Sequence, residues 1–328
     1  MRKNCALLFF LVFLTAGVFA VDTPVDNGTV LLNFVVPGAA QIAQGKSEGW
    51  WYTPGLALTI GGSLLQGKHY MPVGDDYKWY NAAGTVMFEG GQMLFTYSYY
   101  AYFNDTGKIW PDYQRQSLPF LMASPWLPQN FTSVDVFPIV GLGILTSLPF
   151  LFDSKRPEYI GEYFGSKTVP FWGADMNPYL AYGCYFSWSL VMSNFTAVTE
   201  ECLFRGLVSG TIPALPSSAL FGSVHAANLL VQDITPTTIR NTALQVAQSF
   251  CMGLYLDNLV RENNGDLQKA ITVHQWWNVA AFSFAFFSAI SDPDYVKVHR
   301  PTPDGKDLTV SSYLDTDCHP GILLKYRY

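Results

Sequence analysis

Apolar residues in this chain come in long runs rather than in strand-like alternation. The runs lie at about 50–66, 83–103, 135–152, 177–208, 214–231, 238–262 and 268–291, each long enough for a helix and poor in charge. Polar loops separate them, a Pro-rich one after 103 and a basic one with Lys155, Arg156 and Lys167. A further stretch, 29–45, is short and interrupted at Pro37-Gly38 and reads as a kinked or re-entrant helix. Tyr97, Tyr99, Tyr100 and Tyr102 close the 83–103 run like an interfacial aromatic belt. Met1-Arg2-Lys3 followed by apolar Ala6–Ala20 has the form of an export signal, either cleaved after Val18-Phe19-Ala20 or kept as an anchor. This pattern predicts an all-α fold, a polytopic membrane helical bundle with about seven or eight transmembrane helices. Its divisions are a signal-like segment or anchor at 1–20, N-terminal membrane helices and loops at 21–175, the helices bearing reactive side chains at 176–291, and a polar extramembrane tail at 292–328.

Composition supports the membrane reading. Of 328 residues, 49% are hydrophobic, 16% aromatic and 13% charged, the last about half the charge of an average soluble protein. The net charge of −6 forms no run and no basic stripe, which excludes nucleic acid as a partner. Cys5, Cys184, Cys202, Cys251 and Cys318 show no paired spacing, so neither a disulfide framework nor a zinc-finger pattern is implied. N-x-S/T sequons stand at Asn27, Asn104, Asn130 and Asn194, the last inside an apolar run. Lys and Arg are spread over both sets of loops and leave topology open.

Against this background Glu200-Glu201-Cys202-Leu203-Phe204-Arg205-Gly206 stands out. An ionised side chain near the bilayer centre costs about 2.5–3.5 kcal/mol on insertion scales, so three in six residues need compensation. On a helix Glu201 and Arg205 share a face, while Glu200 is turned away by about 100°. One carboxylate is thereby paired and its neighbour is placed to accept a proton. A solvated ion pair at a helix end would explain this motif taken alone. The next helix carries Phe221 four residues before His225, and the last carries His274 four residues before Asn278. Each pair falls on one helical face. Imidazole relays protons and a carboxamide N–H donates to an oxyanion, so Glu200, His225, His274 and Asn278 cover the roles amide hydrolysis needs. Polar contacts between helices would account for either His pair singly.

The three motifs in this order, EExxFRG at 200–206, FxxxH at 221–225 and HxxxN at 274–278, with Gly253 and the turn Asn263–Leu267 between them, resemble the CPBP family of intramembrane proteases, also called Abi or CAAX-protease-like. The resemblance covers about 177–291. It implies motif helices around a water-containing cavity, an intramembrane endopeptidase, and a membrane-associated peptide or protein substrate in a lipid bilayer. Position by position it implies that Glu200 activates water with His225, His274 supports that water or the leaving group, and Asn278 stabilises the oxyanion. Glu201, Arg205 and Phe221 support the site. A divalent metal such as zinc on His225, His274 and Glu200 is conceivable under the resemblance, although no HExxH is present. The alternatives are a non-catalytic membrane scaffold or immunity protein of the same fold and a proton-coupled transporter. The expected location is an integral membrane one, the bacterial inner membrane.

Overall fold

The computed structural model describes residues 49–66, 77–105, 109–110, 115–133, 135–136, 141, 156–230, 236–291, 308–314 and 320–326. The signal-like segment, the 29–45 stretch, Asn27 and nearly all of the 135–152 run lie outside the described residues. In chain order the elements are α1 (Gly49–Gln66), α2 (Trp79–Asp105), α3 (Leu118–Ala123), a 3₁₀ turn (Ser124–Trp126), α4 (Pro128–Phe131), α5 (Arg156–Gly165), β1 (Val169–Phe171), β2 (Ala174–Met176), α6 (Pro178–Glu200), a π-helical segment (Glu201–Val208), α7 (Ala214–Val224), a second 3₁₀ turn (His225–Leu230), α8 (Pro236–Glu262), α9 (Gln268–Ile290), β3 (Leu308–Leu314) and β4 (Pro320–Tyr326). Helices dominate, as an all-α fold requires, and the strands form two antiparallel hairpins, β1–β2 and β3–β4.

The longest helices, α2 and α8, have 27 residues each, about 40 Å of rise. Even so, no helix among the described residues is long and apolar enough to cross a membrane. The seven or eight crossing helices expected from the apolar runs therefore find no support in the helices themselves. The reason is visible in their sequences: Glu89 and Gln92 interrupt α2, α8 carries Asn, Gln, Asp257 and Arg261, and α1 has only 18 residues with Pro54 inside.

Two compact units emerge, each assembled from separated segments. The first comprises Met1–Thr59, Gly90–Phe131 and Phe195–Val273, and the second Ile60–Glu89, Thr132–Asn194 and His274–Tyr328.

In the first unit α7 and α8 approach at glycines. A Cβ on Gly222 would stand 3.0 Å from the Val246 carbonyl oxygen and the Phe250 Cβ, and one on Gly253 would stand 3.1 Å from Phe221 and Ser218. The α8–α9 link turns at Asn264 and Gly265, whose φ angles are 52° and 97°. The Gly265 N–H donates to the Val260 carbonyl at 2.8 Å, and Asp266 Oδ1 accepts the Gln268 N–H at 2.9 Å to open α9. The tyrosines read as an interfacial belt are instead packed inside: Tyr97, Tyr100 and Tyr102 are buried. The Tyr97 hydroxyl donates to the Gln116 carbonyl at 3.0 Å, while Arg115, paired with Asp105 at 2.6 Å, donates to Tyr97. Part of the loop expected after 103 is helical, because Pro119, Pro125 and Pro128 sit at or near the first positions of short helices, where a missing N–H costs nothing.

The second unit has an aromatic core of Tyr77, Tyr163, Phe171, Tyr185, Trp188 and Phe286. The Tyr185 hydroxyl donates to the Phe282 carbonyl at 2.9 Å, and the Tyr77 hydroxyl lies 3.2 Å from Thr85 Oγ1. Burial pushes the Tyr77 phenol up to about 12. Strands β1 and β2 join through Trp172 and Gly173, both with positive φ, the backbone a two-residue hairpin turn demands. Asn194 Nδ2 donates to Gln275 Oε1 at 2.6 Å.

Three sequon asparagines are buried. Besides Asn194, Asn104 donates to the Ile109 carbonyl at 3.3 Å and Asn130 to the Ser124 carbonyl at 3.1 Å.

Candidate active site

The EExxFRG motif begins where α6 ends. Glu200 is the last α-helical residue, and from Glu201 the backbone widens into the π register, marked at its end by the Ser209 N–H donating to the Phe204 carbonyl at 2.7 Å, five residues back. Such segments are rare and frequently stand at functional sites.

Within this segment the two carboxylates part. Glu201 is fully buried and its Oε1 accepts from Arg205 Nη1 at 3.1 Å, with Arg205 itself 1% exposed. The guanidinium also lies over the Phe221 ring, 4.2 Å from its centroid. Phe221 meets Phe204 edge-on at 4.9 Å and His225 edge-on at 5.2 Å. A chain of contacts thus runs from Glu201 through Arg205 and Phe221 to His225, joining two of the three sequence motifs. Glu200, by contrast, is half-buried.

His225 ends α7 and begins the 3₁₀ turn. Its Nδ1 is 3.0 Å from the Phe221 carbonyl oxygen. A carbonyl only accepts, so Nδ1 carries the proton and Nε2 is the basic nitrogen of the neutral ring. The half-buried imidazole is oriented by its own helix, with the face of that orientation set by Phe221.

His274 and Asn278 lie on the stretch of α9 that belongs to the second unit, His274 buried and Asn278 half-buried. Gln275 between them is the partner of Asn194. The contacts described above therefore join Glu201, Arg205, Phe221 and His225 within the first unit, while His274 and Asn278 are placed in the second.

Among the described residues no three His, Cys, Asp or Glu side chains gather to hold a metal ion. Zinc on His225, His274 and Glu200 stays an implication of the resemblance, and no chemical step here is routed through a metal.

Sequence reasoning missed the residues that brace the π segment. Trp110 Nε1 donates to the carbonyls of Arg205 and Gly206 at 3.2 and 3.1 Å. Arg261 Nη2 donates to the carbonyls of Ser209 and Ile212 at 2.9 and 2.7 Å. Tyr100 packs where a Cβ on Gly206 would fall. Trp110 sits in a loop without periodicity, and its ring packs against the left-handed turn at Gly265.

A protein-family model described as Rce1-like, type II CAAX prenyl endopeptidase Rce1-like, matches residues 183–280. That span runs from α6 through the π segment, α7 and α8 into α9 and contains all three motifs. No curated protein and no solved structure matches the chain.

Proposed function

Because residues 183–280 are those of the CPBP, or CAAX-protease-like, family, we propose that the protein is an intramembrane endopeptidase hydrolysing a peptide bond in a membrane-associated substrate. The family is one of integral membrane proteases, and location in a bilayer is part of the proposal. Glu200 and the Nε2 of His225 draw a proton from water and direct the resulting hydroxide at the scissile carbonyl. Asn278 donates its carboxamide N–H to the oxyanion. His274 steadies the water or protonates the departing amine.

The observation that carries this reading is the separation of the two adjacent carboxylates. Glu201 is committed to Arg205 in a buried pair, which neutralises a charge the interior would not tolerate alone. Glu200 is half-buried at the start of the same segment, in the unit that also orients His225. A scaffold would need the Glu201–Arg205 pair but not a histidine held in one tautomer.

The test is cleavage of membrane-tethered peptides, including one ending in an isoprenylated C-terminal sequence, by the full chain in bilayers. Wild type is compared with Glu200→Gln and His274→Ala, with and without a chelator. Product from wild type alone supports the endopeptidase, and the chelator arm answers the question of a metal. Intact, folded protein that cuts nothing, or cuts equally well as Glu200→Gln, rejects it in favour of a scaffold; proton flux sensitive to Glu200→Gln without product favours a transporter.

A further inference from the structure

We propose that Trp110 and Arg261 are positioning residues that lock the motif segment into its π register and so set the direction in which Glu200 projects; the catalytic half of the proposal rests on the endopeptidase reading. In an α-helix the Ser209 N–H would bond the Arg205 carbonyl, four residues back. Here it bonds Phe204 instead. The Arg205 carbonyl takes the Trp110 indole N–H at 3.2 Å, and the same donor serves Gly206 at 3.1 Å. One loop side chain thus supplies what the backbone withdrew.

Arg261 does the same beyond the segment, where its Nη2 serves the Ser209 and Ile212 carbonyls. The two braces are themselves held. Arg261 Nε is paired at 3.0 Å with Asp257, which is fully buried, and its guanidinium lies 5.8 Å from the Trp110 ring centroid. The Trp110 backbone adopts φ 48°. Its ring rests on Gly265, where a Cβ would stand 2.6 Å from the indole Cγ.

Removing the indole N–H leaves a buried carbonyl without its donor, and the available repair is return of the Ser209 N–H to Arg205. That return takes one residue out of the turn. It rotates Glu200 and Glu201 by about 100° relative to the chain beyond Ser209.

Trp110→Phe keeps the ring against Gly265 and deletes only the donor. The full-length variant is compared with wild type by steady-state cleavage and by amide hydrogen exchange. The expected result is a kcat lower by about 10- to 100-fold, with KM within about twofold, and faster exchange confined to residues 205–212. Arg261→Lys, which retains the charge but cannot hold Asp257 through one nitrogen while serving both carbonyls through another, shows the same pattern and decides the matter if Trp110→Phe does not fold. Unchanged exchange over 205–212, or loosening spread evenly over the chain with kcat preserved in the folded fraction, overturns the proposal. A wild-type protein that cleaves nothing defeats the endopeptidase reading, while the exchange pattern still decides whether the brace exists.

Discussion

Glu200 and Glu201 are adjacent and chemically identical, yet their surroundings differ, and under the proposed function substitution should separate the two. Glu201→Gln strands the Arg205 guanidinium in a site where it is 1% exposed and is expected to cost about 3–5 kcal/mol of stability, seen as a lower melting temperature. Glu200→Gln should shift stability by less than about 0.5–1 kcal/mol while abolishing cleavage. Equal losses of stability for both would show that the carboxylates are not divided in this way. The spacing of Glu201 and Arg205 made their pairing readable beforehand, and the pairing survives the change from α to π register. Nothing in the spacing could reveal that the guanidinium also covers Phe221, or that a helical carbonyl fixes the tautomer of His225, because both depend on how α7 meets the π segment.

At the level of single elements, the motif helices follow the apolar runs: α8 and α9 begin and end within a few residues of the expected limits, and α6 together with the π segment spans 178–208. The π segment was not legible, since its backbone is stabilised by donors far away in the chain, Trp110 and Arg261. The tyrosines of α2 were misread for a similar reason, because an aromatic run looks the same whether it faces a headgroup layer or a neighbouring helix. Gly206→Ala tests that packing. Its Cβ would collide with the Tyr100 ring, and an overpacked site of this kind costs about 1–3 kcal/mol. Thermal denaturation would show the loss, and Tyr100→Ala in the same chain should relieve part of it. In the second unit, Tyr77 supplies a pH dependence. Its folded value of about 12 lies above the usual 10, so its contribution to stability is complete below pH 10 and drains away as the pH rises towards 12. Tyr77→Phe should therefore flatten the alkaline loss of stability over that interval.

For the molecule as a whole, low charge and long apolar runs pointed to a bilayer, whereas among the described residues no helix is long and apolar enough to cross one. Some of the helices' polar groups meet one another, as Asn194 does with Gln275. The proposed membrane location predicts that the chain stays in the pellet after alkaline carbonate extraction; release into the supernatant would count against it. The three buried sequons carry a practical corollary. Asn104, Asn130 and Asn194 have their amide nitrogens committed to internal acceptors, so an oligosaccharide on any of them and the closed fold exclude each other. Produced in a secretory host, molecules sugar-modified at these three sites would be those that never closed, and a gel shift on deglycosylation would become a gauge of quality control rather than a map of natural modification.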